Sequence, residues 1–180
     1  ANTPSEAIVK AADSSRTTHG ATEAVDACRY FAALLVGALS SQPKSALLSE
    51  EIQLIDRTVG DPLLAPRIRG IAAGSYKSKG PSSIRASGYV AHTLEAALWA
   101  FHQSSTFEEG ALLAVNLGED ADTTAAVYGQ LAGALYGEEA IPAAWRERLV
   151  LHDEIVTFAD ALHTAAHLPD HYRVEERLLA

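Results

Sequence analysis

The chain is 180 residues long, 48% of them hydrophobic and 21% charged, with a formal net charge of −9. That length suits one domain with a substantial core, and plentiful alanine and leucine beside few aromatic residues favours helices over strands. The negative balance excludes a broad nucleic-acid surface, which is built from lysine and arginine, but leaves room for one small phosphate site made of backbone amides.

Residues 3–12 read as a short helix, with Thr3 as its cap and Pro4 at the first helical position. Residues 14–20 (SSRTTHG) form a polar interruption. Residues 21–39 then make a strong helix, with Val25, Cys28, Leu35 and Leu39 near one face and Phe31 and Leu34 widening the stripe. Gln42-Pro43 breaks it, residues 45–56 suggest another amphipathic helix, and Asp61-Pro62 starts a short one reaching about Arg69. Residues 70–88 are rich in glycine, serine and lysine and read as a long loop, of the kind that is functional or mobile.

In residues 89–103, Val90, Leu94, Leu98 and Phe101 recur at helical spacing. Thr106 caps a helix over residues 107–117, with Glu108 and Glu109 at its positive end. A helix opened by Asp122 or a neighbour reaches Tyr136 and stops at Gly137. Ala125, Ala126, Gly129, Ala132, Gly133 and Ala134 keep both faces of that helix small, which predicts a central, closely packed element. Pro142 begins a long helix to about His167, ended by Leu168-Pro169, and residues 173–179 form a last short one. No period-two alternation and no internal repeat occurs, so the expected fold class is all-α.

Cys28 is the single cysteine, which leaves no internal disulfide and no thiolate metal cluster, and reads as a small buried residue. The longest apolar run, residues 30–39, is too short to span a bilayer. Glu6 and Asp13 beside a weakly apolar stretch do not make a signal peptide, so the expectation is a cytoplasmic protein with no membrane and no nucleic-acid partner. Methionine is absent even at position 1, as in a processed chain or a piece of something longer.

The chemistry concentrates in residues 116–129, NLGEDADTTAAVYG. Gly118 permits a sharp turn, and Asp120, Asp122 and Thr123 place two carboxylates and a hydroxyl within one helical turn. Hard cations such as magnesium take oxygen ligands of this kind, and the free amides of a helix start can face a phosphate or ribose oxygen. The alternative is an ordinary acidic N-cap, in which Asp120 or Asp122 bonds the free backbone amides.

GEDADTTAAVYGQLAGALYG, residues 118–137, resembles the carboxy-terminal metal motif of the ADP-ribosylglycohydrolase family. SRTTHG, residues 15–20, resembles the family's Ser/Thr-rich segment ending in histidine. SGYVAHTLEAALWAF, residues 87–101, is similar to the segment carrying its adenosine-side tyrosine. The three occur in the family's order, and the branch that includes the dinitrogenase reductase-activating glycohydrolase looks nearest.

The resemblance implies a compact multi-helix domain and a binuclear Mg2+ (or Mn2+) centre. It implies hydrolysis of the glycosidic bond joining ADP-ribose to a modified protein side chain, with arginine expected. Residue by residue, Asp120, Asp122 and Thr123 become metal ligands, and Asp120 also the carboxylate that manages the proton. Gly118 lets the backbone approach the ribose, His19 contacts the ligand, and Tyr89 stacks on adenine.

One departure is plain. The family's amino-terminal Gly-Asp segment and Thr-Asp-Asp-Thr ligand set are not reproduced by Asp56-Arg57 or Asp61-Pro62. Residues 1–180 are therefore expected to be the carboxy-terminal portion of a single domain, inactive alone. The missing part is expected as a separate chain or lost by truncation or cleavage. The partners expected are ADP-ribose or an ADP-ribosylated protein, together with a second copy of the chain or a complementing amino-terminal half. The competing function is a non-catalytic ADP-ribose or nucleotide-binding module.

Elsewhere the sequence offers weaker candidates. His163, His167 and His171 suggest zinc, but no acidic partner shares their helical turn and a solvated role is expected. Lys77, Lys79 and Arg85 could meet a pyrophosphate, with a solvated loop the simpler reading. Trp99 and Trp145 read as core or interface anchors.

Overall fold

The structure, a computed structural model, describes residues 3–49 and 64–167. Among these residues there is no strand. Helix α1 (Pro4–Arg16) leads into α2 (Thr22–Leu39), and α3 (Lys44–Leu47) is a single turn. After the undescribed stretch come α4 (Pro66–Ala72), a 3-10 turn (Pro81–Ser83), α5 (Val90–Gln103), α6 (Phe107–Val115) and α7 (Ala121–Tyr136). A second 3-10 turn (Glu138–Ala140), α8 (Ala143–Arg146) and α9 (His152–His167) complete it. The family-like all-α expectation holds. No described helix is long and apolar enough to cross a membrane.

Helix α5 is the centre, buried continuously from Thr93 to Phe101 and flanked by α2, α6 and α7. Its neighbours meet through Tyr128 on α7, whose hydroxyl donates to the carbonyls of Phe107 (2.8 Å) and Thr106 (3.1 Å). Gly110 on α6 is what lets that ring approach, since a Cβ there would stand 2.3 Å from the Tyr128 hydroxyl. Thr106 caps α6 as expected, accepting from the Glu109 amide at 3.2 Å. A buried ion pair, Arg29 to Asp26 at 3.1 Å, fixes α2, and the second Asp26 oxygen accepts from the Ala65 amide at 2.7 Å just before α4. A carboxylate so placed must be paired to be tolerated.

Several expectations change. Helix α1 runs to Arg16 rather than ending near residue 12, because Asp13 pairs with Arg16 at 2.8 Å and Ser15 turns inward. On α2 the fully buried line is Ala27, Tyr30, Leu34 and Ala38; Cys28 is only half-buried, and Leu39 is 73% exposed. The loop at 70–88 is packed: Tyr76, Ile84 and Ala86 are buried, and Lys79 pairs with Glu95 at 2.7 Å. Lys77 donates to the Leu48 carbonyl at 2.6 Å, closing the end of α3, so neither lysine is the solvated residue expected.

Helix α7 packs on one face only, through Thr124, Tyr128, Leu131 and Ala132. A Cβ built on Gly129 or Gly133 would meet nothing within 4 Å, which corrects the expectation of close packing all round. The long helix expected from Pro142 is two. Arg146 binds Glu138 (3.3 Å) and Glu139 (3.2 Å), folding α8 back on the preceding turn, and Leu151 adopts φ +63° before α9 starts. Trp145 is exposed there, whereas Trp99 is buried and donates to the Lys79 carbonyl at 2.9 Å. The expected helix over residues 45–56 lies largely, and that over 173–179 wholly, outside the described residues, as does His171. The one expected from Asp61-Pro62 to about Arg69 is seen from residue 64 on, where α4 starts at Pro66 and runs past Arg69 to Ala72.

Candidate functional site

The acidic motif sits in the turn between α6 and α7. Gly118 (φ +74°) and Glu119 (φ +52°) are consecutive left-handed residues, the first suited by glycine. They reverse the chain so that the Asp120 amide donates to the Ala86 carbonyl at 2.7 Å. That bond ties the turn to the segment entering α5. Asp120 occupies the N-cap position of α7, yet its side chain makes no capping bond. Instead its Oδ1 accepts from the Thr123 hydroxyl at 2.8 Å. The plain N-cap alternative therefore does not describe this carboxylate. Asp122, one residue into the helix, is exposed and makes no hydrogen bond or ion pair among the described residues.

Beside this turn lies a cleft of about 830 Å³, mostly apolar, between the end of α1 and the starts of α2, α5 and α7. His19, Tyr89 and Thr123 all line it, so three of the expected residues from three distant segments share one cavity. Asp120 adjoins it: a Cβ on Gly88, at the lip, would stand 3.6 Å from Asp120 Oδ2. Gly118 and Asp122 are outside the lining. Phe31, Cys28, Leu94 and Val127 form the apolar part, which is why Cys28 is not fully buried.

Each cleft residue is held by its own local structure. The His19 amide and carbonyl bond back to Ser15, at 2.6 and 3.0 Å, and its Nδ1 lies 3.0 Å from the Thr18 hydroxyl. Tyr89 is the N-cap of α5, and its hydroxyl reaches across the cleft mouth to donate to the Glu23 carboxylate on α2. That acceptor raises the phenol above its ordinary titration range. The Arg67 guanidinium lies over the same ring, 5.3 Å from its centroid, and His92 meets it edge-on at 5.0 Å. Ser87 fixes His92 through Nδ1 at 2.7 Å. Burial, followed by the charges of Arg67 and Arg85, lowers the His92 pKa.

Glu23 and Arg67 were not legible as site residues. Glu23 reads in sequence as a helix-start carboxylate, and nothing local places it beside a tyrosine 66 positions away. Among the basic loop residues, only Arg85 approaches the motif, through Glu119 at 3.8 Å.

As to metal, the donor set is right in kind. Asp120, Asp122 and Thr123 are all oxygen donors, the chemistry a hard divalent ion selects. It is short in number: among the described residues no three His, Cys, Asp or Glu side chains cluster in a way that could hold an ion. His163, on the exposed α9, has no such cluster either.

Residues 1–171 match the family model for ADP-ribosylglycohydrolase. The chain belongs to that family. It is 43% identical over 152 residues to the ADP-ribosylarginine hydrolase Tri1 of Pseudomonas putida (strain GB-1), covering 84% of this chain and 38% of that protein. To the protein of the same name from Serratia proteamaculans (strain 568) it is 38% identical, covering 82% of this chain and 38% of the relative. The ADP-ribosyl-[dinitrogen reductase] glycohydrolase of Rhodospirillum rubrum is 38% identical over 90 residues, which is 49% of this chain and 31% of that protein. A solved structure described as an ADP-ribosylglycohydrolase-related protein complex superposes with a TM-score of 0.78 at 44% identity, covering 88% of this chain and 53% of the other. The chain thus spans little more than a third of the length of the two arginine hydrolases it matches.

Proposed function

We propose that this chain supplies the ADP-ribose cleft and one set of oxygen ligands for hydrolysis of the bond between ADP-ribose and a modified arginine. The observation that carries the reading is the convergence of His19, Tyr89 and Thr123 on one cleft, with the Asp120 carboxylate bonded to Thr123 at its edge. Two relatives are named for ADP-ribosylarginine, which favours arginine as the carrier of the modification.

The residues divide the task. Asp120, Asp122 and Thr123 would hold Mg2+, with further ligands supplied from outside these 180 residues. A divalent ion in such a site supplies Lewis-acid polarisation of ribose hydroxyls and water. Asp120 is the carboxylate placed to take up a proton, being exposed on one side to the cleft lip and held on the other by Thr123. The Tyr89 ring offers a flat surface to adenine, while His19 keeps Nε2 available to a ligand oxygen, its Nδ1 already facing Thr18. Phe31, Leu94 and Val127 exclude water from the inner cleft.

Calorimetry with ADP-ribose, with and without Mg2+, tests this. The chain binds ADP-ribose more tightly with Mg2+, and Asp122→Ala removes the metal dependence. With the remaining family segment supplied, Asp122→Ala also abolishes release of ADP-ribose from modified arginine. Normal turnover by that variant refutes the assignment. Tight binding indifferent to chelator, with no hydrolysis, instead favours a non-catalytic ADP-ribose module, a reading that the short donor set keeps in play.

A further inference from the structure

Tyr89 is held more firmly than an exposed ring at a helix start requires. It is 38% exposed and lines the cleft, yet three elements grip it. Its hydroxyl donates to Glu23 on α2, Arg67 from α4 lies over its face at 5.3 Å, and His92 of its own helix meets its edge at 5.0 Å. Arg67 makes no ion pair among the described residues, so its guanidinium is available to the ring rather than committed to a carboxylate.

We infer that Glu23 and Arg67 are positioning residues that lock the Tyr89 ring across the cleft mouth as a preformed wall for the purine base. This rests on the ADP-ribose reading of the cleft. The physical ground is the cost of ordering. An unrestrained tyrosine loses rotamer freedom when a base stacks on it, and that loss subtracts from affinity. The Glu23 carboxylate fixes the far end of the ring, so the loss is met during folding. Arg67 over one face directs a base to the other and adds a cation–π contact to the ring. Neither residue needs to touch the ligand.

The test is a double-mutant cycle on the full chain, with ADP-ribose and ribose 5-phosphate as calorimetric probes. Glu23→Ala and Tyr89→Phe each weaken ADP-ribose binding roughly three- to tenfold, the range for a hydrogen bond to a charged group that is partly solvated. The double variant loses no more than either single one, because both remove the same bond. Ribose 5-phosphate, which carries no base, is affected in neither. Glu23→Gln, which keeps an acceptor oxygen, restores most of the ADP-ribose affinity. Arg67→Ala shows a smaller loss confined to ADP-ribose.

Losses that multiply independently in the double variant, or that fall equally on ribose 5-phosphate, overturn the proposal. A separate readout detects the pairing without any ligand. The ultraviolet titration of wild type minus Tyr89→Phe isolates Tyr89, and Glu23→Ala, which removes the acceptor, brings its ionisation down toward that of a free tyrosine. No change in that titration means that the Glu23 contact is absent. A clear change, with wild type failing to bind ADP-ribose at all, means that the functional reading fails while the pairing stands.

Discussion

Replacing Gly110 by alanine sets a methyl group against Tyr128 at 2.3 Å from its hydroxyl and 2.4 Å from two ring carbons. The ring cannot step aside. Tyr128 is buried to 1% exposure, wedged against Phe101 and Phe107, and held through its hydroxyl by two carbonyls. Overpacking of this kind costs about 1–3 kcal/mol, and weakening the one hydrogen bond that the phenol proton shares between the two carbonyls adds roughly 1 kcal/mol. The alanine returns about 1 kcal/mol in helix propensity, leaving a net loss of about 1–3 kcal/mol. For a chain of this size that lowers the melting temperature by roughly 3–10 °C.

Gly129→Ala is the internal control. The substitution is the same and also lies within a helix, but its Cβ meets nothing within 4 Å. Only the propensity gain of about 0.5–1 kcal/mol remains, a rise of a few degrees. Circular dichroism melts of both variants in one buffer decide the matter. Equal shifts of the same sign would show that the close approach of Tyr128 to Gly110 does not carry the α6–α7 contact.

Three further outcomes follow from the same geometry. Asp26→Ala removes a buried partner of Arg29 and the acceptor for the Ala65 amide, and should cost about 3 kcal/mol in urea unfolding. His102 titrates below the ordinary histidine range because of burial and the charges of Lys77 and Lys44. The native state thus binds its proton less readily than the unfolded chain; stability is full above about pH 6.5, the unfolded value, and falls as pH drops below it. His102→Asn flattens that slope in melts between pH 7 and 5. Last, on the proposed metal reading, Mg2+ at about ten times its dissociation constant adds roughly 1.4 kcal/mol to the native state, raising the melting temperature of wild type but not of Asp120→Ala or Asp122→Ala.

The elements read well from sequence are those whose signal is local. Thr106 followed by Glu109 announces the start of α6, and the apolar spacing from Val90 to Phe101 announces α5. The turn at Gly118 and the three oxygen donors after it are equally local, a motif contained within one helical turn. What escaped depends on partners far along the chain. The break between α8 and α9 follows from Arg146 finding Glu138 and Glu139, a choice that periodicity does not record. The buried line of α2 is turned away from Leu39 because Asp26 and Arg29 must lie inward beside Ala65. The amide that holds Asp26 there lies 39 positions along the chain, beyond the reach of helical periodicity.

The same distinction explains how the candidate site is assembled. The acidic turn and the aromatic wall belong to different helices, and each is legible alone. What brings them together is a backbone bond, Asp120 amide to Ala86 carbonyl, formed three residues before Tyr89 caps α5. A bond between main-chain atoms carries no side-chain signature, so no reading of residue types could have supplied it. Thr123 then works in both directions, its hydroxyl on Asp120 and its side of the helix in the cleft. On the proposed reading, the distance between the carboxylates and a base stacked on Tyr89 is set by how α5 packs on α7. Under that proposal the ligand must span from the Tyr89 ring to Asp120, a spacing that the fold sets rather than any single side chain.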